Sequence, residues 1–141
     1  MAAASDFLEA EILKHIFRTG SFTKPTVLAI ALCTAAPVDA DTGALTSKEV
    51  ANAGAYARQT LNPLDANWTA PGVGGLTDNA SAITFPVATA NWGTVTHVAI
   101  TDSATYGAGN LLLHGALTTS KVVNTGDTFK FNIGDLDITL A

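Results

Sequence analysis

Three histidines and one cysteine are the side chains of this sequence with the widest chemical reach. A histidine acts as a base, a proton shuttle or a metal ligand only when neighbours orient its ring and set its proton affinity. His15 falls on the polar side of a helical stretch, while His97 and His114 each sit inside a run with strand periodicity. No two of them share a metal-ligand spacing such as HxH or HExxH. In TVTHVAI, residues 94–100, a period of two places His97 on one side with Val95 and Ala99. That is the environment of a structural residue on a sheet face.

Cys33 lies in VLAIALC among aliphatic neighbours, with nothing local to lower its thiol pKa, so it reads as a small buried residue rather than half of a Cys–His nucleophile pair. No serine sits in a GxSxG turn. The glycines of PGVGGL, residues 71–76, are followed neither by a helix pattern nor by the Lys-Ser/Thr of a phosphate loop. Asp39 with Asp41, and Asp135 with Asp137, could offer oxygens to calcium, but neither pair belongs to an EF-hand ligand series, and Asp favours turns for local reasons. Scattered Asp and Glu carry no spacing that would support a glycosidase pair. The sequence therefore supplies no catalytic constellation, and no enzyme activity, cofactor or metal is expected.

The totals point the same way. A chain of 141 residues can bury a core without metal or disulfide staples, and its single cysteine excludes an intrachain disulfide and fits synthesis in a reducing cytoplasm. Apolar residues make up 48% and charged residues 13%, so part of the surface is expected to face a partner. A net charge of -5 with dispersed Lys and Arg argues against nucleic acid and against an acidic lipid surface. The N-terminal residues lack the basic leader of a secretory signal, and the longest apolar run is far short of the roughly 20 residues of a spanning helix. A soluble protein is expected.

One segment has a helical period. Leu8, Ile12 and Ile16 recur at spacing four with Leu13 and Phe17 beside them, predicting an amphipathic helix over residues 6–18. Asp6 with Glu9 has capping-box spacing, Ser5 is the alternative cap, and Gly20 suits the exit. From Thr26 onward the period is two. VLAIALC, with a large face of Leu28, Ile30 and Leu32 and a small one holding Cys33, predicts a central strand covered on both sides. Residues 37–54 show neither period and read as a surface excursion. AYARQTL follows as a strand with Tyr56 and Arg58 on one face, and Trp68 reads as a plug fastening the loop of residues 62–75. Later strands are ASAITF, TVTHVAI, NLLLHGAL and a final pair, in which Phe129, Phe131 and Ile133 alternate with polar residues, as do Leu136, Ile138 and Leu140. Turns are expected at residues 124–127 and at Gly134-Asp135.

The predicted fold is mainly β: an antiparallel β-sandwich or jelly-roll-like barrel preceded by one N-terminal amphipathic α-helix. Residues 1–20 form the helical oligomerisation or docking element and residues 21–141 a single β-sandwich domain. The core is expected to hold Leu28, Ile30, Leu32, Trp92, Phe129 and Phe131. The helix stripe of Leu8, Ile12, Leu13, Ile16 and Phe17 is expected at an interface. No repeat or heptad encodes a fibre shaft.

ASDFLEAEILKHIFRTGSFTKPT, YARQTLNPLDANWTAP and the segment from AITFPVATANWGTVTH to GDLDITL resemble a family of small tailed-phage virion proteins, often labelled phage tail fibre proteins and similar to capsid decoration or cement proteins. The resemblance covers nearly the whole chain apart from residues 37–54 and brings no catalytic residues with it. It implies a virion structural protein. Of the roles it allows, the expectation is a decoration protein that binds the major capsid protein lattice as a homo-oligomer, with a trimer plausible. The alternative is a small tail-fibre or tail-tip component contacting tail proteins, and a carbohydrate-binding module or lysis hydrolase comes third.

Overall fold

The computed structural model describes residues 2–45 and 47–140. Residue 1 and residue 141, the outer ends of the two units expected from the sequence, and Thr46 in the 37–54 segment lie outside the described residues. In chain order the elements are β1 (Ala3–Ala4), α1 (Asp6–Phe17), β2 (Ala29–Cys33), β3 (Gln59–Thr60), β4 (Leu76–Asp78), β5 (Ile83–Thr84), β6 (Gly93–Thr101), β7 (Leu111–Val123), β8 (Lys130–Phe131) and β9 (Asp137–Thr139). The chain is mainly β with one short N-terminal helix, as its periodicity predicts.

All described strand pairs are antiparallel. One five-stranded sheet has the order β1-β7-β6-β2-β3, and two ribbons pair β4 with β9 and β5 with β8. Alternation along β2 sends Ile30 and Leu32 to one face and Ala31 and Cys33 to the other, all fully buried. On the large-residue face, Ile30, Leu32, Val98 and Ile100 meet Phe85, Phe129, Phe131, Leu136 and Ile138 from the ribbon side. Phe129 lies edge-on to Phe131 at 5.1 Å and to Phe85 at 5.8 Å. Trp92 joins this core, and its indole donates to the Gly54 carbonyl at 2.8 Å. Leu28 packs against the core half-buried. The predicted core residues are thus all in or against one cluster.

The helix ends at Phe17, one residue short of expectation, and its cap is Ser5: the side-chain oxygen accepts from the Leu8 amide while the hydroxyl donates to the Leu111 carbonyl. Asp6 is the first helical residue. At the exit, Arg18 is extended and Gly20 plays no left-handed role. Ahead of the helix, Ala3 and Ala4 pair with His114 and Leu113, so the first residues belong to the sheet rather than to the helical unit.

Three further expectations are corrected. Residues 37–54 are not a surface excursion: Glu49 bridges Cys33, the Val50 amide donates to the Leu32 carbonyl at 2.9 Å, and Leu45 covers the small face of β2. The segment extends the sheet along the β2 edge where β3 stops, satisfying backbone groups that would otherwise be buried alone. His97 does not share a face with Val95, because a β-bulge between them reverses the alternation; Val95 faces the large core, whereas Ala99 faces the small cluster. Ile133 and Leu140 are exposed, because β8 and β9 end before reaching them. The 124–127 turn forms as expected, with the Asp127 amide donating to the Asn124 carbonyl at 2.9 Å and Gly126 at φ +90.

Candidate functional site

The structure answers the chemical candidates one by one. Antiparallel pairing sets His97 directly opposite Cys33, the juxtaposition that a thiol–imidazole pair would need. Yet Cys33 is fully buried, and burial followed by the charge of Glu49 pushes its thiol up to about 12. A thiol so disposed is protonated at neutral pH and does not act as a nucleophile. His97 Nδ1 lies 2.8 Å from its neighbour Thr96 Oγ1. His114 Nε2 meets Asp39 Oδ1 at 2.9 Å, tying β7 to the start of the 37–54 segment, and His15 Nδ1 accepts from the Phe22 amide at 3.2 Å. Asp41 pairs with Lys48 and accepts from the Val38 amide; burial works against its charged form, but those bonds hold its carboxyl below the usual range. Asp135 accepts from the Asn132 amide within its own turn. Among the described residues no three His, Cys, Asp or Glu converge as a metal site.

The polar centre of the molecule is one that the sequence reading passed over. Arg58 and Glu49 form a fully buried bidentate pair, with Nε to Oε1 at 2.8 Å and Nη2 to Oε2 at 2.7 Å. The remaining guanidinium hydrogens reach the carbonyls of Gly43, Ser103 and Ala108 at 2.7–3.0 Å and Thr101 Oγ1 at 3.2 Å. Tyr56 donates to Glu49 Oε1 at 2.8 Å and accepts from the Leu32 amide at 3.0 Å. Burial alone would lower the Arg58 pKa, but the bonds to Glu49 outweigh it and raise it; burial and then Glu49 raise that of Tyr56. The acceptors come from two distant stretches of chain, so one guanidinium ties Gly43 and Glu49 to Thr101, Ser103 and Ala108. The Cβ of any other residue at Gly43 would stand 2.2 Å from the Ala108 carbonyl oxygen, so this close approach requires glycine. The period of two did place Tyr56 and Arg58 on one face, but their partner was hidden in a segment without period.

The surface offers a different kind of site. An apolar groove of about 740 Å³ opens between the start of the helix and the β4/β9 ribbon. Ile100, Leu112 and Leu113 line it from the sheet, Trp68 and Leu64 from the loop, and Leu8 from the helix. Trp68 is the plug its loop context predicts, its indole donating to the Leu61 carbonyl at 3.1 Å. Leu8 is buried against the chain's own body, so it is not available to a partner, and Ile12 is half-buried. The rest of the predicted stripe, Leu13, Ile16 and Phe17, is exposed. Such a volume and lining suit an apolar occupant. No described helix is long and apolar enough to cross a membrane.

No curated protein matches the chain. The family model described as Podophage GP4 fiber I protein gp80 matches residues 3–139, from the edge strand ahead of the helix to the last strand. With nearly the full length matched, the chain belongs to the podophage GP4 fiber I protein gp80 family, a family of phage virion structural proteins.

Proposed function

We propose that this protein is a non-enzymatic structural subunit of a virion fibre, working through assembly with copies of itself and with tail proteins. The observation that carries the reading is the family match over residues 3–139, whose description names a fibre. The word fibre in that description supports taking up the tail-fibre alternative ahead of the capsid decoration role expected from the sequence. Two features of the molecule support an assembly role: the polar groups with chemical potential are spent on internal fastening, and the surface presents an apolar helix face beside an apolar groove.

Capsid decoration is the second reading, supported by the lack of a shaft-like repeat or heptad within these 141 residues. Here a small domain would bind the assembled lattice of the major capsid protein and stabilise it by linkage, many weak contacts acting together. Copies per virion, counted by quantitative mass spectrometry, together with antibody labelling of intact particles in the electron microscope, separate the two. A small multiple of the tail symmetry with label at the tail is the expected result. Hundreds of copies over the head would replace the fibre by the decoration role, and absence from purified particles would contradict both.

A further inference from the structure

We infer that the helix of one copy seats in the groove of the next, so that the chain assembles head to tail through two different patches of its surface. The inference deepens the reading of the protein as an assembling virion subunit and rests on it. Residues 13–21 are exposed without interruption, whereas Leu8 before them is buried and Phe22 and Pro25 after them line the groove. The second half of α1 and the turn behind it are therefore an arm anchored at both ends on the groove wall. At 3.6 residues per turn, Leu13 and Phe17 lie roughly 140° and 180° around the helix from Leu8. While Leu8 holds its place, that face points away from the chain's own groove.

The exposed arm is large enough to matter. Leu13 is 56%, Ile16 62% and Phe17 76% exposed. Together they present on the order of 350 Å² of apolar surface, nearly half of the ~800 Å² that each partner contributes to a stable interface. The groove adds an open apolar rim at Leu64 and Leu140, both more than half exposed. Charge supports the contact as well: Lys14 and Arg18 stand beside the Phe17 face of the arm, and the groove edge carries Asp65 to meet them. A second copy of this chain satisfies both patches at once, because each copy offers one arm and one groove. Contact between unlike patches is heterologous and closes into a ring where the rotation permits, as in a trimer, or continues as a filament.

The test uses the purified full chain and two variants, Phe17→Asp on the arm and Leu64→Asp on the groove rim, with mass measured by light scattering and folding by circular dichroism. The wild type is expected at a multiple of its 14.4 kDa chain mass, and each variant alone as a folded single chain. Mixing the two should restore a one-to-one complex, because the intact arm of the groove variant meets the intact groove of the arm variant. A wild type that stays monomeric at high concentration, or variants that keep the wild-type mass, overturns the inference; so does a mixture that forms no complex. Should either Asp variant fail to fold, Phe17→Cys and Leu64→Cys chains of different tag length replace them: a mixed disulfide-linked pair is expected, and only unmixed chains would refute the contact. These outcomes concern purified chains alone, so they are independent of whether particles carry the protein on tail or head.

Discussion

Phe129 and Phe131 in the body and Ile16 and Phe17 on the arm are similar side chains in opposite surroundings. The first pair is buried edge to face beneath the sheet; the second stands in solvent. Strand alternation gave the body residues a facing layer within the same chain, whereas the helix commits Leu8, and parts of Phe7 and Ile12, to its own body. The chain thus contains one apolar set that folds it and another that is left over from folding. That second set is the surface the proposed contact with another copy would cover.

If that contrast holds, substitutions in the body should act on stability and those on the arm on association. The largest effect is expected at Glu49→Ala, which leaves Arg58 buried without its counter-charge and Tyr56 without its acceptor; about 5 kcal/mol should be lost, the upper end for a broken buried pair. Urea denaturation of the variant measures it, and a loss under 1 kcal/mol would show that the fastener is not needed. Phe131→Ala should cost about 3–5 kcal/mol through the cavity it opens, a large share of the stability of a small domain. A melting temperature within a degree or two of wild type would remove Phe131 from the core.

Alkaline pH gives a smaller, graded effect with a definite sign. Cys33 is raised from an ordinary 9.0 to about 12, and Tyr56 is also raised above its ordinary 10.0. The unfolded chain loses these protons first, so it binds fewer than the native state, and stability falls as pH rises. The decline should begin near pH 9, as the unfolded thiol starts to ionise, and Cys33→Ala should flatten it; an unchanged melting temperature between pH 8 and 11 would contradict the burial assigned to both groups. The smallest effect belongs to the arm. Phe17→Ser, measured where the chain is monomeric, should change stability by no more than about 0.5 kcal/mol, as surface substitutions do. A loss several times larger would mean that the arm helps to fold its own chain.

The parts legible in the sequence are those with a local period. Leu8, Ile12 and Ile16 placed the helix to within a residue, and the alternation in VLAIALC identified a strand buried on both faces. What escaped is set by long-range pairing. Glu49 sits in a run of Ala, Thr and Gly that no period organises, and only the folded chain brings it to Arg58. The bulge at Val95 and His97 inverts an alternation that the letters continue unbroken, and Ile133 prolongs a pattern beyond a strand of two residues. The groove was illegible for the same reason: its walls come from the helix, the Trp68 loop and the last strand, far apart along the chain.

The central claim is that the arm is held in reserve for another copy while the body is complete by itself. Amide hydrogen exchange across a dilution series of the purified full chain tests it most directly, because it reads arm and body in the same sample. Exchange in residues 13–22 should slow severalfold as the oligomer forms, along with the groove segment around residues 64–70, while residues 129–138 exchange at one rate throughout. Exchange in residues 13–22 that is equally fast in oligomer and monomer would contradict it.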